Sequence, residues 1–170
     1  IRNTSAILVG GLECPIAATG SGHDPAIGCL ETATCITPEG SGRSLPVTVL
    51  TDGRIAVAPS TFSYAAPVIS SVEGCSKAQP GRNCSRQGND RITIRGQNFG
   101  PSGAMVFIGS TPCKDVLWLG HSQLECLMPR GHAAQLPVVV VQQGGVTGSS
   151  ASSHVSVGYA PCPAGHFTDA

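Results

Sequence analysis

The sequence predicts an all-β protein made of two β-sandwiches in tandem, stapled by disulfides. Two observations lead to this fold class. First, the segment Cys35–Gly40, followed by Leu45–Val47, recurs downstream as Cys126–Gly131, followed by Leu136–Val138. The period of this repeat is close to the size of one small β domain. Second, 22 Gly and 13 Pro interrupt short runs of Val, Ile, Thr and Ala, and no convincing helical segment occurs.

Residues 66–160 are predicted to form a complete sandwich. The segment Arg91–Gly96 alternates polar and apolar side chains, so Ile92 and Ile94 face one side of a half-buried strand, and Phe99 then closes the end of the core. The other predicted strands are Pro67–Val72, Ala104–Ile108, Gln123–Met128, Leu136–Gln142 and His154–Val157. Six or seven strands joined by short turns are typical of a sandwich.

Residues 1–65 are predicted to form an incomplete copy. Its strands repeat only the later part of the pattern: Ala6–Val9, Glu31–Thr37, Leu45–Leu50 and Thr61–Tyr64. Ile1 aligns with Gly100, so the equivalents of the strands at Pro67 and Arg91 are absent. A sandwich without these strands exposes unpaired backbone groups and core side chains, which favours the addition of a strand from elsewhere.

Charge and hydropathy exclude two classes of partner. Ten basic and ten acidic residues cancel and are scattered along the chain. We therefore expect no nucleic-acid partner and no basic face for lipid. The longest apolar run, Val138–Val141, is far too short to cross a bilayer, so no direct membrane insertion is expected of this segment. Because the chain starts at Ile1 rather than Met, we expect a processed product or an excerpt of something longer.

Cysteines and sequons indicate an extracellular or cell-surface location. Eight cysteines accompany the sequons Asn3-Thr4-Ser5 and Asn83-Cys84-Ser85, so Asn3 and Asn83 are candidate N-glycosylation sites. The cysteines lack the C-x-x-C knuckles of zinc sites and the histidines lie far apart, so no metal site is expected. A Ser/Gly-rich hairpin loop offers candidate O-glycosylation sites at Thr147, Ser149, Ser150, Ser152 and Ser153.

A search for catalytic motifs finds none. The chain has no Gly-x-Ser-x-Gly elbow, no His-Glu-x-x-His and no phosphate-binding loop. We therefore predict a protein that is not an enzyme and has no cofactor beyond covalent glycans. The sole tryptophan, Trp118, lies between Cys113 and Cys126 in a predicted loop. Core or inter-module packing is its expected role, and a platform for a sugar or a protein partner is the alternative.

A combination of short motifs runs through residues 67–160. It consists of Pro67-x-Ile69-x-x-Val72, Ile92–Gly100, Val106-x-Ile108-Gly109, Cys113, Cys126-x-x-Pro129-x-Gly131 and Pro137-Val138-x-Val140. In this combination the chain resembles the IPT/TIG immunoglobulin-like module. The resemblance implies an early-set immunoglobulin-like β-sandwich, found in tandem in plexin-like receptors and in secreted proteins, and it implies no activity. Some transcription factors also carry such modules, but eight cysteines and a neutral charge argue against that branch.

The repeat and the family resemblance together predict three disulfides. Cys14 with Cys35 and Cys113 with Cys126 occupy equivalent places in the two copies. The resemblance implies the third bond, Cys75–Cys84, which brackets a segment between the first two strands.

Cys29 and Cys162 have no counterparts in the repeat. Three pairings are open: they bond each other within one chain, they join neighbouring chains, or they pair with cysteines outside this segment. An unpaired secreted thiol is a fourth case.

These observations predict a structural subunit of a glycosylated extracellular fibre or surface appendage. Residues 161–170 form a tail, placed where the first strand of a further module is expected. The tail of one subunit would add a strand to the incomplete copy of the next, giving a head-to-tail homopolymer, with Cys162 bonded to Cys29. The alternative is an excerpt of a longer array whose own residues supply the missing strands.

Other functions stay open. The chain fits an ectodomain fragment of a receptor or adhesion protein that binds a protein or glycan ligand, or an accessory domain of a polysaccharide-degrading enzyme. The segment Cys162–Phe167 also resembles the opening of small cysteine-rich extracellular modules. In that case Cys162 belongs to a following domain.

Overall fold

The computed structural model describes residues 4–24, 26, 28–143, 145, 147–149 and 155–162. Over these residues the secondary structure is entirely β, which confirms the predicted fold class. No helix in this part of the chain is long and apolar enough to cross a membrane. The chain divides into two compact units between Tyr64 and Ala65.

The first unit contains a four-stranded sheet and a separate ribbon. Its described strands are β1 (Thr4–Val9), β2 (Leu12–Glu13), β3 (Ile16–Asp24), β4 (Gly28–Cys35), β5 (Leu45–Thr51) and β6 (Arg54–Phe62). The sheet has the antiparallel order β2-β1-β5-β6, whereas β3 and β4 form a two-stranded ribbon that no other described strand joins. Buried Ile7 and Val9 on β1 form the centre of its core with Cys14.

The second unit contains two larger sheets. Its described strands are β7 (Val68–Gly74), β8 (Arg91–Gln97), β9 (Met105–Ile108), β10 (Thr111–Pro112), β11 (Lys114–Gly120), β12 (Gln123–Leu127), β13 (Leu136–Val141), β14 (Thr147–Ser149) and β15 (Ser156–Val157). One sheet has the order β10-β9-β13-β14, with β15 also paired to β13, and the other has the order β11-β12-β8-β7.

The alternation predicted for β8 is present in the structure. Ile92 and Ile94 are completely buried, and Phe99 is buried in the same core, as predicted. On the opposite face Arg95 donates to Glu73 at 3.1 Å, a cross-strand ion pair between β8 and β7. The period-two pattern therefore separates core from solvent along this strand.

Several strands differ from the sequence prediction, including β14, which lies in the segment predicted as a hairpin loop. The segment between Cys113 and Cys126 was expected to be a loop, but β11 runs through it and pairs with β12. The first unit contains the equivalent strand β3, whose Gly- and Ser-containing sequence is a poor match to a strand pattern. β6 begins at Arg54, well before the predicted Thr61. Asp52 and Gly53 both have positive φ, so the sequence signal for β6 was an Asp-Gly hairpin turn.

The repeat seen in the sequence extends to backbone hydrogen bonds. Gly10 N–H donates to the carbonyl of Pro46 at 2.9 Å, and in the second unit Gly109 N–H donates to the carbonyl of Pro137 at 2.8 Å. β1 through β5 therefore correspond to β9 through β13 in order. The described first unit contains no strand that corresponds to β7 or β8.

Candidate strand-addition site

In the second unit, β8 completes the sheet on the free side of β12. The two strands are antiparallel, with Leu124 opposite Ile94 and Cys126 opposite Ile92. All four side chains are 0% exposed. β8 therefore covers the inner face of β12 with two aliphatic side chains at alternate positions.

The equivalent strand β4 in the first unit lacks this cover. It pairs with β3 along one edge, and no strand among the described residues pairs with its other edge. Ala33 and Cys35 correspond to Leu124 and Cys126, yet both are only half-buried. An edge strand of this kind presents a row of backbone N–H and C=O groups to any extended segment.

The core of the first unit shows the same deficit. Several of its apolar side chains remain partly exposed, namely Ala33, Cys35, Leu45, Val47, Val49 and Phe62. In the second unit, β7 and β8 contribute buried Ile69, Val72, Ile92 and Ile94 to the core. Among the described residues, the first unit has no side chains equivalent to these four. Covering its partly exposed apolar side chains would remove apolar surface from water.

Several other edges in the described chain carry features that hinder pairing. β2, β10 and β15 are only two residues long. β6 begins with Arg54 and contains Pro59. β7 follows Pro67, and its register with β8 is irregular. β11 begins with Lys114, and its register with β12 shifts twice. Short strands, Pro, cationic side chains and bulges are the usual means by which proteins block edge-to-edge association.

β4 has neither Pro nor a cationic side chain, and its one charged residue is Glu31. It spans the eight residues Gly28–Cys35, and the register shift in the ribbon lies on the β3 side, between Ile16 and Ala18. Thr32 and Thr34 direct their hydroxyls to the carbonyls of Gly20 and Ala18, at 3.5 and 3.4 Å. These contacts hold the ribbon together and leave its outer edge available.

Disulfides anchor β4 and cross-link the chain within both units. The structure contains Cys14–Cys35, Cys75–Cys84 and Cys113–Cys126, the pairs expected from the repeat and the resemblance. In the first, the Cα atoms are 5.5 Å apart, so the last residue of β4 is tied to the chain just after β2. One end of β4 is therefore anchored covalently.

Cys29 and Cys162 are cysteines without a counterpart in the repeat. Cys162 is an exposed free thiol beside the guanidinium of Arg86. Cys29 lies within β4, across from His23 of β3. The unmatched cysteine of the first unit is therefore placed on the strand with the open edge.

The other predicted site residues divide into three groups. Asn83 is exposed, with its amide nitrogen 3.4 Å from Gln79 Oε1. Thr147 and Ser149 are the ends of β14. Four candidate glycosylation sites lie outside the described residues: Asn3, Ser150, Ser152 and Ser153.

Trp118 does not lie in a core, one of the two packing roles expected for it. It lies on edge strand β11 and is 38% exposed. Its indole N–H donates to the carbonyl of Gly100 at 2.9 Å, and its ring meets His121 edge to face.

One group of metal-ligating residues converges in the described chain. Ligand atoms of Cys75, Cys84 and Asp90 lie within 4.8 Å of one another. Both sulfur atoms belong to a disulfide, so the group offers no thiolate to a metal ion.

The sequence profile described as the IPT/TIG domain matches residues 67–163, more than half of the chain. The chain belongs to the IPT/TIG family. The family and the immunoglobulin-like fold predicted from the motifs are thus confirmed. No curated protein matches the chain significantly in sequence.

Solved structures show the fold of this IPT/TIG protein in larger molecules. The extracellular region of plexin A4, domains 1 to 10, is similar with a TM-score of 0.50 at 19% identity, covering 95% of this chain and 13% of that one. The surface glycan-binding protein PbSGBP-B from Prevotella bryantii is similar with a TM-score of 0.53 at 10% identity, covering 88% of this chain and 33% of that one. At these identities the similarity is one of fold.

The location follows from the cysteine chemistry. Three disulfides are formed within the described residues. Such bonds form and persist in oxidising compartments, and in small modules they compensate for limited cores. The protein is therefore extracellular or exposed at the cell surface, as the sequence predicted.

Proposed function

We propose that this chain is a non-catalytic structural subunit of an extracellular fibre or surface appendage. The single observation that carries the proposal is that no described strand pairs with the second edge of β4, which lies beside a partly uncovered core. Immunoglobulin-like sandwiches stapled by disulfides resist unfolding and proteolysis, which suits a mechanical role. A strand from a neighbouring subunit would complete the first unit and join the two subunits in one step.

The proposed assembly is head-to-tail. The acceptor, β4, belongs to the first unit, and the donor would be the tail, residues 161–170, of the next subunit. Because the two contacting surfaces differ, the contact is heterologous and generates an open filament unless its rotation closes a ring. Cys29 on β4 and the exposed thiol of Cys162 at the start of the tail would then form an intermolecular disulfide.

Assembly is tested with protein purified from a secretory host without reductant. Equal amounts of unlabelled and ¹⁵N-labelled chains are mixed, assembled and digested under non-reducing conditions. We expect filaments in negative stain and Cys29–Cys162 peptides that join a labelled to an unlabelled chain. The matched variants Cys162→Ser and Cys29→Ser should give shorter, reductant-insensitive filaments. A monodisperse particle at all concentrations would overturn the fibre proposal.

A recognition module is the second candidate. The exposed ring of Trp118 is held by its hydrogen bond to Gly100, and tryptophan is enriched at binding hot spots. The similar Prevotella bryantii structure is named as a surface glycan-binding protein. A glycan array distinguishes the candidates: binding that Trp118→Ala abolishes and the neighbouring Leu119→Ala retains would favour a receptor or adhesion ectodomain.

A further inference from the structure

We infer that the open edge of β4 selects an antiparallel strand with two aliphatic side chains at alternate positions, as β8 provides for β12. This inference rests on the proposed function, in which β4 receives a strand. It goes further because it assigns the register and the side-chain pattern of the incoming segment.

The register follows from the internal repeat. In the second unit, Ile92 lies opposite Cys126, and the disulfide Cys113–Cys126 fixes that point in the core. The equivalent disulfide, Cys14–Cys35, fixes Cys35 in the first unit. The incoming strand therefore places one aliphatic side chain opposite Cys35 and the next, two residues on, opposite Ala33.

Side-chain size adds a preference at one of these positions. Ala33 stands where the second unit has the fully buried Leu124, whose partner across the strands is Ile94. The smaller alanine leaves space on the core side of β4. The position opposite Ala33 on the incoming strand is therefore best occupied by an aliphatic side chain as large as Ile or larger.

The alternate positions of the incoming strand are polar. Thr32 and Thr34 are exposed on the outer face of β4, and in the second unit the corresponding face of β12 pairs with Arg95 and Thr93 of β8. A polar residue opposite Thr34 keeps that face solvated. Pro is excluded wherever the incoming strand must donate its N–H to β4.

The tail of the chain matches this pattern only in part. Residues 163–167 read Pro-Ala-Gly-His-Phe, with Phe167 as the single large apolar side chain. We therefore expect a peptide of residues 161–170 to bind β4 more weakly than a peptide with the β8 pattern. A weak strand is consistent with a need for the Cys29–Cys162 bond in the proposed assembly.

The test uses the full chain and synthetic peptides as probes. The first probe copies residues 89–98, which include Ile92 and Ile94. The matched control carries Ile92→Ser and Ile94→Ser, and a second control changes only the outward Thr93→Ser. Affinity is measured by fluorescence anisotropy, and the site is located by amide hydrogen exchange of β4 against β6 and β11.

We expect the β8 peptide to bind and to slow amide exchange within residues 28–35. The double Ile→Ser control should bind about a hundredfold more weakly, since it lacks two buried aliphatic side chains worth about tenfold each, and Thr93→Ser should leave affinity within about twofold. The variant Ala33→Glu, which places a charge on the inner face of β4, should abolish binding. Because the peptide controls use unaltered protein, the result does not depend on that variant folding.

Three outcomes overturn the inference: no binding, equal binding of the β8 and Ile→Ser peptides, or protection confined to β6 or β11. The proposed assembly is judged separately. Binding of the tail peptide without binding of the β8 peptide removes this inference and retains the fibre. Binding of the β8 peptide by a chain that stays monodisperse removes the fibre and retains the inference.

Discussion

Tyr159 donates a hydrogen bond from its phenolic hydroxyl to the backbone carbonyl of Pro129 at 2.7 Å. The first unit repeats this relationship, with Tyr64 donating to the carbonyl of Pro38 at 2.8 Å. In each unit the tyrosine follows the last strand of the repeat and ties it to the loop after the repeat cysteine. The bond therefore links the segment after the last strand of each module to the loop that follows the repeat cysteine.

Tyr159→Phe should lower the free energy of unfolding of the second unit by about 1 kcal/mol, or somewhat more, because it leaves the carbonyl of Pro129 without a buried partner. Tyr64→Phe is the matched variant, and it should have a smaller effect because Tyr64 is only half-buried. Urea unfolding measures both. A larger loss for Tyr64→Phe would contradict the assignment of Tyr159 to the better-packed unit.

A glycine under each tyrosine ring gives a second test. A Cβ atom on Gly131 would lie 2.3 Å from Cε2 of Tyr159, and one on Gly40 would lie 2.5 Å from the ring of Tyr64. Gly131→Ala should destabilise the second unit by about 1–3 kcal/mol, because the ring is buried and has little room to move. Gly40→Ala should cost less. Thermal unfolding followed by near-UV circular dichroism checks the order.

The same tyrosines predict a dependence on alkaline pH. Desolvation by burial raises the pKa of Tyr159, and likewise the pKa of Tyr64, above the ordinary value of about 10. Above pH 10 the unfolded chain loses tyrosine protons before the folded chain does, so stability falls as pH rises toward the folded pKa. Denaturant midpoints between pH 9 and 11 should therefore decrease. Tyr159→Phe should make the decrease of the denaturant midpoint with pH smaller. An unchanged dependence of the midpoint on pH would contradict the contribution assigned to Tyr159.

Sequence patterns predicted the parts of the fold where side chains alternate or repeat. Ile92, Ile94 and Phe99 lie in the core as expected, because alternation and an end-of-strand aromatic are local signals. β3 and β11 escaped prediction because their formation depends on pairing with β4 and β12 rather than on their own patterns. The missing strands were predicted from alignment of the repeats. The sequence did not indicate that the second edge of β4 has no described partner strand, because this depends on pairing between strands far apart in the chain.

Asn83 is predicted to carry an N-linked glycan when the chain is secreted from a eukaryotic host. It begins the sequon Asn83-Cys84-Ser85 and is exposed on the second unit, whereas Cys84 is fully buried in a disulfide. Because the sugar would be attached to Asn83 itself, enzymatic deglycosylation should lower the mass, and Asn83→Gln should reduce that shift by one glycan, any remainder coming from the candidate site Asn3. A deglycosylation shift unaffected by Asn83→Gln would contradict the assignment.

Loss of the disulfides should affect the two units unequally. The bonds Cys14–Cys35 and Cys113–Cys126 join residues 21 and 13 positions apart, so loop entropy alone predicts similar costs of about 3 kcal/mol. The first unit has the smaller buried core and an uncovered β4, so replacing Cys14 and Cys35 by Ala should unfold that unit at ambient temperature. The matched double variant at Cys113 and Cys126 should leave the second unit folded but less stable. Hydrogen exchange resolved by unit measures both, and addition of the β8 peptide should restore protection to the weakened first unit if a strand on β4 completes it.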